Sequence, residues 1–238
     1  MIKFFRRIHQ KLISDSKSSK YLLYAIGEIV LVVIGILIAL QINNWNDNRI
    51  SNNNELKLIA SLNEELISIH DKLKIDFENN EKNLILVEEY LDEKEKNNEQ
   101  KIEIISVLDV YNHSSVSHPI ITNVLSANNS STISDDELLT ELRKLQESYS
   151  EIKETELYLE QLWDSKMSDF LSKNNYAKSL VKYIRNQNSN VQNLIELYNN
   201  EEYKNIIALK WLLQKDWVEK QRIALLETEK MIAITRRK

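Results

Sequence analysis

The sequence predicts an all-α protein: one N-terminal transmembrane helix followed by an elongated antiparallel helical bundle or a long helical hairpin. Three observations carry this expectation. An apolar run of 22 residues lies near the start of the chain. Apolar residues then recur at three- and four-residue steps through most of the remainder, which is the signature of amphipathic helices. The body after residue 42 contains no glycine, and Pro119 is the sole proline of the chain. Tight hairpins, phosphate-cradling loops, dinucleotide turns and strained nucleophile elbows all use glycine where φ is positive or backbone approaches a ligand. None of these is expected in that body.

The first 20 residues carry six basic side chains against Asp15 alone, a local net charge of +5 with His neutral. Within them, MIKFFRRIHQKLI alternates apolar and basic residues, and so suits an amphipathic helix lying on an anionic membrane surface or a plain topology signal.

From Tyr21 to Ile42 the only charge is Glu28. A helix of this length spans about 33 Å, enough for a bilayer. Tyr21, Tyr24 and Trp45 are the aromatic anchors expected at its two interfaces. A buried helix of a soluble protein and a cleaved signal peptide are the competing readings. The run exceeds the usual signal-peptide core, and no small-x-small cleavage site follows in ALQINNW. Because the basic residues precede the span, the positive-inside rule expects a cytoplasmic N-terminus and a body on the opposite side of the membrane. Glu28 costs several kcal/mol at membrane depth. Either it is eased by snorkelling or protonation, or it bonds to a partner helix, which Gly27 and the small-xxx-small pair Gly35 and Ala39 would let approach closely.

The run YAIGEIVLVVIGILIALQINNWN, residues 24–46, preceded by the basic head, resembles the N-terminal signature of a bacterial family of single-span membrane proteins catalogued as a domain of unknown function. The resemblance is specific over residues 1–50 and looser over 108–175. It implies a small envelope protein and carries no catalytic residue. Where this chain reads ITNVLSANNSSTISDDELLTEL, the family tends to have a glycine before the matching helix start.

Beyond the span, residues 43–238 hold 25 basic and 34 acidic side chains, a net of −9. No patch suited to nucleic acid is expected. Leu62, Leu66, Ile69 and Leu73, then Leu84, Val87 and Leu91, predict one long helix over about 55–98 with a polar interruption at residues 77–83. A short apolar segment at 102–111 leads into an irregular loop over about 111–133. Ser134 and Glu137 read as a capping box, with Ile133 and Leu138 as its hydrophobic staple, so a helix is expected over 135–173. Its seam runs from Leu138 to Phe170, broken at Glu156. One or two shorter helices are expected over 176–198, and a long C-terminal helix over about 201–235. A dimeric coiled coil is also compatible with these seams.

Chemistry is sparse. The chain has no cysteine, which excludes disulfides and thiolate sites. The four histidines are too scattered for a zinc site, so no metal, cofactor or catalytic residue is assigned, and no enzymatic activity is expected. His113 and His118 share a serine-rich loop, but no oxyanion-hole element accompanies them. The expected role is therefore a structural or accessory protein-interaction module with the lipid bilayer and a protein partner or second copy as its contacts. A ligand-sensing bundle coupled through the span is the alternative, and an envelope hydrolase using the His113–His118 loop a more remote one.

Overall fold

In the computed structural model, the residues described are 18–92, 94–108, 116–126, 132–185, 187 and 190–237, with side chains described from Leu22 onward. About 90% of the described residues are helical and none of them forms a strand, so the class is all-α. The basic amphipathic segment over residues 1–13 lies outside the described residues. The chain divides into two units, residues 1–55 and 56–238.

The elements are α1 (Ser18–Leu91), α2 (Asn98–Leu108), α3 (Pro119–Leu125), α4 (Asp136–Leu162), a π-helical turn (Trp163–Met167), α5 (Ser168–Lys173), α6 (Tyr176–Ile184), α7 (Val191–Tyr198) and α8 (Glu201–Thr235). In the first unit, α1 contains a stretch long and apolar enough to cross a membrane, and that stretch is wholly exposed.

In the second unit, α1 ends at Leu91 rather than near residue 98. Asp92, directly after it, puts negative charge at the negative end of the helix. A reciprocal cap then restarts the chain: Gln100 N donates to Asn97 Oδ1 at 2.9 Å, and Asn97 N donates to Gln100 Oε1 at 3.0 Å. The helix predicted from residue 135 begins one residue later. Asp135, not Ser134, is its N-cap, and Leu138 N donates to Asp135 Oδ1 at 2.9 Å. An aspartate satisfies an orphan amide and favours the positive helix end at once. The span 176–198 resolves into two short helices, α6 and α7. Asn175, at φ 60°, supplies the left-handed turn into α6 that glycine usually provides.

Three helices line the core with heptad-like seams. On α1, Ile59, Leu62, Leu66, Ile69, Leu73, Asn80, Asn83, Val87 and Tyr90 are buried, each three or four residues from the next once Asp76 is counted. On α8, the buried series Tyr203, Ile207, Lys210, Gln214, Trp217, Gln221, Ala224, Thr228, Met231 and Thr235 alternates four and three without a break. Such spacing keeps one stripe facing a neighbouring helix. On α4 the seam slips, since Leu159 and Met167 are eight residues apart instead of seven. The π-helical turn between them absorbs the extra residue, which returns Met167 and Phe170 to the core.

Side-chain pairs give the helix directions. Asn63, His70, Glu81 and Glu88 of α1 meet Thr235, Glu229, Arg222 and Trp211 of α8, so the two chains of partners run in opposite senses. Likewise Glu141, Ser148 and Thr155 of α4 meet Lys230, Glu227 and Asp216 of α8. α3 is pinned to α1 by Glu65, whose two carboxylate oxygens accept from the amides of Ile120 and Ile121 at 2.8 and 2.9 Å. The apolar interior falls into two clusters. One joins α1 around Leu66 to α3, α4 and Trp217. The other joins Val87 and Tyr90 to α2, α5, α6, α7 and the first turns of α8.

The polar contact at Glu141 sets an acid dependence. Its carboxylate accepts from Lys144 at 2.8 Å and from Lys230, and these two hydrogen bonds hold its pKa at about 2, below the ordinary 4.5. A depressed carboxylate pKa stabilises the fold fully above the unfolded value and loses that contribution as pH falls toward the folded one. Unfolding followed from pH 6 to pH 2 is expected to show this loss between about pH 4.5 and 2, and Glu141→Gln is expected to flatten that part of the profile.

Candidate functional site

The intramembrane candidates sit on a stretch of α1 none of whose described apolar residues is buried. With 3.6 residues per turn, Gly35 and Ala39 each fall within about 20° of Glu28 around the axis, whereas Gly27 lies about 100° from it. The sequence reading grouped all four, and the helix brings three of them to one face. A Cβ added at Gly27 or Gly35 would meet no atom within 4 Å. Close approach by another helix is therefore sterically open on both. The anchor Tyr24 is exposed, as is Trp45, over whose ring the Arg49 guanidinium sits at 5.8 Å from the centroid. The Tyr21 side chain lies outside the described residues.

The serine- and histidine-rich loop gives less. His113, Ser114 and Ser115 lie outside the described residues. His118 caps α3 in chain order, with Nδ1 3.1 Å from the Val116 carbonyl oxygen and its ring 5.4 Å from that of Tyr149. Among the described residues, no three His, Asp or Glu side chains gather as a metal site.

What the sequence reading missed is a polar layer through the middle of the second unit. On α1 it comprises Asn80 and Asn83, on α4 Thr155 and Glu156, on α8 Lys210, Gln214 and Gln221, all buried. The antiparallel register places them side by side. Gln214 Nε2 donates to Asn83 Oδ1 at 2.9 Å, and Lys210 Nζ donates to the same oxygen at 3.3 Å and to the carbonyl of Leu108. Asn83 Nδ2 donates to the carbonyl of Val107 at 2.9 Å, and Asn80 Nδ2 reaches Gln221 Oε1 at 3.5 Å. These contacts tie the last carbonyls of α2 to α1 and α8; Thr155, Glu156 and Gln221 fall within the first of the two apolar clusters, whereas Lys210, Gln214, Asn83 and Asn80 lie between them. One turn away, burial raises the pKa of the Asp76 carboxyl, against the lowering effect of Lys72.

Buried polar groups are retained in helical cores where they specify register, because a slipped register leaves them unpaired. Asn83 is the hub, since it serves Gln214, Lys210 and Val107. Asn83→Leu is expected to destabilise the protein by about 2–3 kcal/mol, the cost of leaving such buried groups without that partner. Urea denaturation of the full chain checks this. A variant as stable as the wild type would show that the layer contributes nothing.

No family model matches the chain, and neither a curated protein nor a solved structure does.

Proposed function

We propose that this chain is a membrane-anchored accessory protein of the bacterial envelope, a member of the single-span family that residues 24–46 resemble. Residues 21–42 cross the inner membrane, and the second unit forms an elongated antiparallel helical bundle in the periplasm. The observation that carries this reading is the complete exposure of the apolar stretch of α1. A helix with Leu, Ile and Val on every side and none of these described residues buried is stable only where lipid or another helix replaces water. The concentration of basic residues before the span supports the orientation.

Interaction with another protein or a second copy is the role that fits. The face carrying Glu28, Gly35 and Ala39 supplies one surface, since a carboxylate in lipid gains most from a hydrogen-bonding partner. On the second unit, Leu209, Leu212, Ile223 and Leu226 form an outer stripe on α8, each about half exposed. Glu28→Leu is expected to leave insertion intact and to weaken crosslinking between spans by at least threefold. Unchanged crosslinking would remove the Glu28 face from the account.

The polar layer favours a second reading, in which ligand or partner binding shifts the helices about this level and the shift is passed to the span. A rise in the melting temperature of the full-length protein with a particular small molecule, abolished by Asn83→Leu, would select that reading.

A further inference from the structure

At one end of the second unit, where α1 passes into α2 and α7 into α8, lies an open cavity of about 650 Å³. Its floor holds Tyr90 and Tyr198, whose rings meet edge to face at 4.9 Å, and the Tyr90 hydroxyl donates to the Tyr198 carbonyl at 2.9 Å. Its walls carry Lys94, Lys96, Lys101 and Lys204 against one carboxylate, Glu95. This positive lining stands in a body of net charge −9. The lysines come from segments over a hundred residues apart, so the fold gathers them.

The partners of these ammonium groups matter more than their number. Lys94 pairs with Asp92 at 3.2 Å and Lys204 with Glu201 at 2.9 Å. The other two have only neutral acceptors among the described residues. Lys96 donates to the Glu89 carbonyl at 3.3 Å, and Lys101 donates to Asn199 Oδ1 at 3.3 Å while lying 5.2 Å above the Tyr198 ring. Two cations facing the same cavity with no carboxylate partner among the described residues repel each other and lower the potential energy of an anion placed between them. The Lys94–Asp92 pair is solvent-exposed, and in the Lys204–Glu201 pair the carboxylate is, so both can be exchanged for a stronger acceptor. A singly charged anion gains too little from that exchange, whereas a phosphate group offers two charges and several acceptor oxygens.

We propose that this cavity binds a multiply charged phosphate-bearing molecule, held by Lys96 and Lys101 with Lys94 and Lys204 closing on it. The proposal is independent of where the chain resides. The same phosphate chemistry could come from a soluble metabolite or from the headgroup of a phosphorylated lipid. The test is isothermal titration of the full-length protein in detergent with inorganic pyrophosphate, inorganic phosphate and dihexanoyl phosphatidic acid. Saturable binding of at least one is expected, weakened tenfold or more by Lys96→Gln with Lys101→Gln. Lys153→Gln with Lys178→Gln, which removes the same charge elsewhere, is expected to leave it unchanged, and thermal melts by circular dichroism verify that both variants fold. Tighter binding of the phosphatidic acid than of both inorganic probes assigns a lipid headgroup, and the converse a soluble phosphate. Absence of saturable binding by the wild type, or equal weakening in the two double variants, overturns the proposal.

Discussion

Arginine at both positions 31 and 34 is expected to release the chain from the membrane fraction. The apolar run contains 14 Leu, Ile and Val residues, each favouring insertion by roughly 0.3–0.6 kcal/mol at central positions, so together they supply about 4–8 kcal/mol. Glu28 already opposes this. Two arginines near the middle of the span add about 5–7 kcal/mol of cost on the same scale, enough to cancel the driving force. Leu31→Arg with Ile34→Arg should therefore move the protein from the carbonate-resistant pellet into the soluble or degraded fraction. Leu31→Phe with Ile34→Val, which keeps the segment apolar, should leave it in the pellet. Retention of the double-arginine variant would mean that something other than this helix holds the chain.

Trp217→Ala is expected to be the most destabilising single substitution in the second unit. The indole is fully buried in the cluster joining α1, α3 and α4 to α8. Truncating a buried aromatic to alanine costs about 3–5 kcal/mol, part from lost burial and part from the cavity left behind. Small and medium domains are stable by roughly 5–15 kcal/mol, so this change removes a large fraction of the total. The midpoint in urea should fall substantially while the slope stays constant. Leu212→Ala, on the exposed outer face of α8, should shift it far less. A Trp217→Ala midpoint within experimental error of wild type would contradict the packing described for that cluster.

How far these features can be read from residues alone depends on how local their cause is. The apolar run, the approximate start of α4 and the extent of α8 are written in neighbouring residues and were legible. The cap of α4 was misplaced by one position, because Ser134 with Glu137 and Asp135 with its own amide partner offer competing caps of similar strength. The end of α1 was overrun: the signals at residues 92–100, two acids followed by an Asn-x-x-Gln cap, are present but subtle beside a helical pattern without Gly or Pro. The slip at Leu159–Met167 can be counted in the sequence, yet only the backbone shows that a π-turn absorbs it.

The polar layer was not legible for a different reason. Read singly, Asn80 and Asn83, Glu156, and Gln214 and Gln221 look like places where an apolar seam weakens. Only the antiparallel register brings Asn80 and Asn83 against Gln221 and Gln214 and turns the weak spots of α1 and α8 into one buried network. The lysine-lined cavity is hidden in the same way, since Lys101 and Lys204 become neighbours only after the chain has folded back. Of the candidate membrane face, helix periodicity alone separates Gly27 from Glu28, Gly35 and Ala39.

The absence of cysteine makes topology directly measurable. Single cysteines placed as Lys3→Cys, before the span, and Lys178→Cys, on an exposed position of α6, can each be challenged with a membrane-impermeant maleimide in intact spheroplasts and again after lysis. Labelling of Lys178→Cys without lysis, and of Lys3→Cys only after it, is the predicted result. Protection of Lys178→Cys until lysis would contradict the assignment of residues 21–42 as a span delivering the helical unit to the outer side.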